Sequence, residues 1–232
     1  MSTTRAVPPA DQPMDVQSLA HPDGSASQGM GLGHELDPHT TAFVAVDVQR
    51  MFTDLLAVPV FPPLERVRSN IRACLDQARA AGATVILVRT VIASDEHSRG
   101  TRTWPEFMRN NLAPGAPGTE FDPCTGVSSG DLQVVKQRYS AFHGTALDSV
   151  LKERGITTVV LCGITTNVCV QSTARDAWQL DYEAITLSDC CAEIGEGEHE
   201  ASLAYTARNF GTVCTSAEAT AGLRTAAARS SS

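Results

Sequence analysis

TTVVLCGITTNVCVQSTARDA, residues 157–177, is the stretch from which the fold can be read. Its first seven residues are β-branched or otherwise apolar up to Gly163, the pattern of a strand covered on both faces rather than one with an alternating wet side. A polar turn follows. From Thr166 onward the apolar positions recur at helical spacing, so the segment reads as strand, tight turn, helix. Five more runs resemble its first half: TAFVAVD at 41–47, ATVILVRT at 83–90, LQVVK at 132–136, YEAITLSD at 182–189 and GTVCT at 211–215. Helical segments fill the gaps. After Pro62-Pro63 the residues Leu64, Val67, Ile71, Leu75 and Ala78 keep helical spacing until Gly82 supplies a stop. Another helix is expected from about Thr145 through Leu147, Val150 and Leu151 to Gly155. Strands alternating with helices predict an α/β fold, a three-layer α/β/α Rossmann-like arrangement on a six-stranded parallel sheet with right-handed crossovers. Ligands of such sheets sit beyond the carboxyl ends of the strands.

About 40 residues separate the second and third runs, and they carry Trp104, Pro105, Pro114, Gly115, Pro117, Gly118, Pro123 and Gly126. A connection of that length is usually functional. It leaves the carboxyl end of a strand, so it is expected to shape the substrate site.

Composition bounds the rest. In 232 residues, 18 Lys and Arg face 26 Asp and Glu, a net charge of −8 with no basic run. A nucleic-acid partner is therefore disfavoured. No apolar run approaches membrane-spanning length, and no basic segment leads into an apolar one at the N-terminus, so neither a membrane nor secretion is expected. Seven scattered cysteines suit a reducing compartment, the cytoplasm. Residues 1–37, rich in Pro, Gly, Ser and Asp, read as a flexible extension, or else as an arm packed on a neighbouring subunit. Residues 38–222 form the folded domain in this reading and 223–232 a flexible tail.

Three residues with chemistry fall at strand ends. Asp47 closes the first run, Lys136 closes the third, and Cys169 follows the fourth by six residues. All three are expected to face one crevice. A cysteine near a helix N-terminus and an ammonium would have a depressed pKa. A carboxylate beside it can take the thiol proton and return it to a leaving amine. Each also has a structural reading: a buried core thiol, an aspartate pairing with Arg50, a solvated lysine beside Arg138. Spacing alone leaves both open. Gln49, Phe52, Trp104, Tyr139, Phe142 and Asn167 lie beside these residues or on the long connection and are candidate pocket residues, with core or interface packing as the alternative for the aromatics. Arg175 and Asp176 read as a structural ion pair, and Cys190 and Cys191 as structural thiols after the fifth strand.

TAFVAVDVQRMF, VVKQRYSAFHGTALDSVLKERGI and VVLCGITTNVCVQSTARDAWQLDY resemble the three signature blocks of the isochorismatase-like cysteine hydrolases, over about residues 41–215. The resemblance implies a catalytic triad of Asp47, Lys136 and Cys169. It also implies a non-proline cis peptide at Ile164-Thr165 and an oxyanion hole formed by the N–H groups of Thr165 and Cys169. Nicotinamidases of this superfamily hold a metal through an Asp-x-His pair and a further His. Asp95 and His97 have the pair's spacing but fall late and lack the second histidine before His143, so no metal and no cofactor are expected. KQRYSAF and TNVCVQSTARDA are most similar to the branch acting on ureidoacrylate, N-carbamoylsarcosine, biuret and maleamate. The implied reaction is hydrolysis of a C–N bond in a small amide, ureido or carbamoyl substrate, in a homo-oligomer, dimer or tetramer. The alternatives are vinyl-ether hydrolysis of the isochorismatase type, lactam or hydrazide cleavage, and a non-catalytic binding module.

Overall fold

Six strands, β1 (Thr41–Val46), β2 (Thr84–Thr90), β3 (Leu132–Lys136), β4 (Thr158–Ile164), β5 (Glu183–Ala192) and β6 (Thr212–Cys214), form one sheet in the computed structural model. The structure describes residues 31–56, 58–93 and 99–230, with side chains through Leu223. The strand order is β3-β2-β1-β4-β5-β6 and every pairing is parallel. From β1 the chain builds outward through β2 to β3, then crosses back to β4 and builds the other way. The carboxyl ends of β1 and β4 therefore flank the switch point, where open α/β sheets form their ligand crevice.

Side-chain alternation along the strands feeds two cores. Phe43, Ala45, Val85, Leu87, Val160 and Ile185 pack with Val67, Ile71, Leu75 and Ala78 of α1 (Leu64–Ala80) and with Ala219 and Leu223 of α6 (Ser216–Ser230). Ala42, Val44, Val46, Ile86, Val88, Val159 and Leu161 point the other way, onto Leu147 and Leu151 of α3 (Leu147–Glu153) and Ala174 and Ala177 of α4 (Gln171–Gln179). The helix α5 (Glu196–Asn209) lies beside α4. The predicted three layers and six parallel strands are thus present.

Several details differ from the sequence reading. β3 is an edge strand, and Val135 is half exposed, so its apolar run is covered on one face rather than two. β5 runs on through Cys190, Cys191 and Ala192, which are fully buried, so the two cysteines belong to the strand instead of following it. Apolar residues on the far side of both expected domain boundaries reach the core. Leu36 is 2 % exposed and Leu32 packs against the same core, while the Gly31 N–H donates to the Val213 carbonyl on the edge strand β6. At the other end, α6 continues to Ser230 and buries Leu223. The expectation of a flexible tail or swapped arm for residues 1–30 lies outside the described residues. Leu36→Ala should lower stability by about 2–4 kcal/mol in urea unfolding, the cost of a truncated core leucine. A change below about 0.5 kcal/mol would return Leu36 to the extension.

The long connection between β2 and β3 is tied down in steps that lead to the site. A short helical turn at Met51–Leu55 follows β1, and α2 (Glu106–Asn111) lies within the connection. Met51, Ile92 and Leu112 form a small third core with Phe52, Trp104 and Met108 around it. Farther on, Phe121 pairs with Gln49, and the Asp122 N–H donates to the Val48 carbonyl. The segment after β1 therefore carries the connection as a wall beside the carboxyl ends of the strands.

Candidate active site

The backbone at the switch point explains why these residue types stand there. Asp47 follows β1 with φ of 56°, a left-handed conformation that aspartate tolerates better than most side chains, while its N–H still donates to the Val88 carbonyl of β2. Across from it, Gly163 has φ of 132°, and a Cβ at that position would run into the Val46 carbonyl. Only glycine lets β4 approach β1 so closely where the chain turns. The peptide between Ile164 and Thr165 is cis, as the resemblance implied. One wide helical turn, Thr166–Val170, then carries Cys169 into the start of α4.

Asp47, Lys136 and Cys169 meet in this crevice. Lys136 Nζ lies 2.7 Å from Asp47 Oδ2, 2.9 Å from Thr90 Oγ1, 2.9 Å from the Arg138 carbonyl and 3.6 Å from Cys169 Sγ. Three short contacts match the three N–H donors of an ammonium, and the sulfur makes a longer fourth. The Thr90 hydroxyl donates to Asp47 Oδ1 at 2.9 Å while accepting from Lys136, which closes a ring of polar contacts. Asp47 is 0 %, Lys136 1 % and Cys169 8 % exposed. Neither structural alternative for the charged pair holds, since Arg50 pairs with Asp54 and Glu120, and Lys136 is buried.

Electrostatics differ from the sequence expectation at the sulfur. Burial raises the Cys169 thiol above its ordinary value, the nearby Asp47 charge adds to the effect, and Lys136 pulls the other way without prevailing. The direction is thus opposite to the depressed thiol pKa expected from the sequence. For Lys136, burial acts to lower the pKa, but the charges and hydrogen bonds of Asp47 and Cys169 hold it above the ordinary lysine value. The Lys136 ammonium thus bridges the Asp47 side chain at 2.7 Å and the Cys169 sulfur at 3.6 Å.

The other candidates divide. Gln49 is fully buried, with its amide donating to the Thr90 and Gly118 carbonyls and accepting from the Thr90 N–H. Those bonds fix Thr90 and the long connection, and Gln49 acts as a clamp rather than a pocket residue. Phe142 is a core residue stacked on Tyr182. Phe52 packs into the third core. Trp104 stacks on the half-exposed Tyr139 at 6.0 Å, joining the long connection to the loop after β3. Asn167 is exposed and lines a groove of about 460 Å³ with Gln171, Arg175, Glu198, Ala201, Ser202 and Tyr205, between α4 and α5. Arg175 does not pair with Asp176; it lies over the Phe210 and Tyr205 rings and donates to Gln171. Asp95 and His97 fall outside the described residues.

Thr90 escaped the sequence reading. Its signal was there: a polar residue ending an apolar strand, in register with Lys136 across β2 and β3. Thr173 escaped too. Its hydroxyl donates to the Cys169 carbonyl at 2.7 Å and accepts from the Ala141 N–H at 3.0 Å, linking the turn that carries Cys169 to the loop after Lys136.

The sequence is 34 % identical over 170 residues to the isochorismatase family protein YwoC of Bacillus subtilis, covering 73 % of this chain and 87 % of that protein. It is 34 % identical over 197 residues to the ureidoacrylate amidohydrolase RutB of Acinetobacter baylyi, covering 76 % and 80 %. A crystal structure of a cysteine hydrolase from Pseudomonas syringae pv. phaseolicola superposes with a TM-score of 0.76 at 32 % identity, covering 84 % of this chain and 98 % of that one. Residues 41–218 match the isochorismatase domain, a span that holds Asp47, Lys136 and Cys169 together, and the chain belongs to the isochorismatase family.

Proposed function

We propose that the chain is a cysteine amidohydrolase that cleaves a C–N bond of a small amide, ureido or carbamoyl compound through a thioester. The observation that carries this reading is the buried Asp47–Lys136 pair with the Cys169 thiol 3.6 Å from the ammonium. As Sγ attacks the carbonyl carbon, the thiol proton passes to Asp47 and the C=O π pair moves to oxygen. The N–H groups of Thr165 and Cys169 hold that oxyanion. Asp47 then gives its proton to the nitrogen as the C–N bond breaks, leaving an acyl-enzyme thioester. Water, deprotonated by Asp47, adds to the thioester, and the released thiolate takes the proton back. Lys136 stays an ammonium throughout and steadies whichever partner is negative.

No step needs a metal or an organic cofactor. Trp104 and Tyr139 are the aromatics we assign to the substrate side. The similarity to ureidoacrylate amidohydrolases supports a ureido or carbamoyl substrate. A homo-oligomer, dimer or tetramer, is part of the same reading, as is the cytoplasm, which suits seven unpaired cysteines. No helix among the described residues is long and apolar enough to cross a membrane.

The test is a panel of carbamoyl amino acids, ureidoacrylate, biuret, maleamate, nicotinamide, simple lactams, hydrazides and isochorismate, assayed for ammonia or amine release and for isochorismate loss, with and without a chelator. The best substrate is expected to be an amide, urea or hydrazide, preferred at least about tenfold over isochorismate in kcat/KM, or about 1.4 kcal/mol. Chelation should leave its turnover unchanged. Isochorismate as the best substrate would replace thioester chemistry by ether hydrolysis. Binding without turnover anywhere on the panel would point to a non-catalytic module.

A further inference from the structure

The turn that carries the nucleophile is held from behind by two buried side chains. Glu193 follows β5 and is 5 % exposed; its Oε2 accepts the Asn167 N–H at 2.9 Å and its Oε1 accepts the Ile194 N–H at 3.0 Å. His199, in the first turns of α5, is 3 % exposed, and its Nδ1 lies 2.9 Å from Thr166 Oγ1. The braces are themselves anchored. Phe61 and Glu193 exchange backbone hydrogen bonds of 2.7 and 2.9 Å, and the Phe61 ring packs edge-on against His199 at 5.6 Å.

Thr166 and Asn167 stand between Thr165 and Cys169, the two residues proposed to donate to the oxyanion. Fixing them from the α5 side fixes the direction of those N–H groups and the reach of Sγ toward Asp47. We infer that Glu193 is a positioning residue for the nucleophile turn, acting through the Asn167 N–H, with His199 and Thr166 as a second tie. This rests on the reading of Cys169 as nucleophile. A buried carboxyl group is costly to desolvate unless its hydrogen bonds compensate, and here both identified donors are backbone N–H groups, one in the turn and one just past its own strand end. Its burial is therefore a cost that the geometry of the turn offsets. A displacement of about 1 Å at a reacting group can lower a rate by about a hundredfold, so a modest brace has a large lever.

The experiment follows alkylation of individual cysteines by iodoacetamide in the full-length chain, by peptide mass, in wild type, Glu193→Ala, Glu193→Gln and Thr166→Val. Loss of the brace should slow alkylation of Cys169 at least about tenfold, because Sγ drifts from the carboxylate that takes its proton, while Cys74, Cys162, Cys190 and Cys191 keep their rates. Glu193→Gln retains an acceptor for the Asn167 N–H and should recover most of the rate. On the best substrate of the amide panel, kcat should fall with KM within about threefold. Wild-type alkylation of Cys169 in Glu193→Ala overturns the inference. So does faster alkylation of every buried thiol, which would mark a merely structural role. Cys169→Ala separates the two readings: if it keeps amide turnover the nucleophile assignment fails and this inference with it, whereas an inactive Cys169→Ala beside a wild-type-like Glu193→Ala removes the brace alone.

Discussion

Cys169→Ala is expected to lower amide turnover by about a thousandfold or more while the chain keeps its fold, because the covalent route disappears and the backbone of the turn is unchanged. The side chain removed is one sulfur at the mouth of the crevice, 8 % exposed, so the stability cost should stay near 1 kcal/mol. Thermal unfolding checks that half of the result. Cys169→Ser should be nearly as inactive. Burial already holds the thiol above its ordinary value, and a hydroxyl, far less acidic to begin with, would ask Asp47 for a proton transfer it cannot drive. Retention of more than about a tenth of wild-type turnover by either variant would remove the thioester from the mechanism.

The raised thiol also shows where sequence reading runs out. Helix-end position and a nearby ammonium both favour a thiolate, and both are legible at residues 136 and 169. Burial and the sign of the third neighbour are not, because they depend on how completely β1, β2 and β4 close around the sulfur. The same division applies to the fold. Six strands and the switch point could be read from runs of Val, Ile and Leu, since parallel strands buried on both faces leave an unbroken apolar signature. β3 sits at the edge yet carries the same run, so its half-exposed Val135 could not be told from a core residue. Gln49 and Phe142 were legible as sequence neighbours of Asp47 and Lys136, but closeness in sequence does not fix where a side chain points, and Gln49 faces the clamp while Phe142 faces the core. Glu193 and His199 lie 24 and 30 residues after Cys169, and only the return of the chain through β5 and α5 brings them behind the turn that carries it.

Asp47→Asn is expected to affect stability as strongly as activity. The substitution keeps the shape of the side chain, and asparagine accepts the left-handed backbone at φ of 56°. What it removes is the charge. Lys136, 1 % exposed, then keeps the unfavourable effect of burial without the carboxylate at 2.7 Å that offsets it. Leaving one charge of a buried pair alone costs about 3–5 kcal/mol. Turnover should fall by about a hundredfold to ten-thousandfold, because neither the thiol proton nor the leaving nitrogen has its relay. The pH dependence carries the sign of the argument. In the wild type the raised Lys136 pKa contributes stability that is complete below the ordinary lysine value of 10.5 and is lost as pH rises through the higher folded value. In Asp47→Asn the same lysine should titrate below its ordinary value, so the variant is penalised most at neutral pH and the gap to wild type narrows toward pH 10, a trend read from urea midpoints at a series of pH values. Lys136→Met combined with Asp47→Asn removes both charges and should recover much of the lost stability while remaining inactive, since a stable neutral pair restores packing but moves no proton. A double variant no more stable than Asp47→Asn alone would mean that the cost lies in the Thr90 and Asp47 hydrogen bonds rather than in the unpaired ammonium.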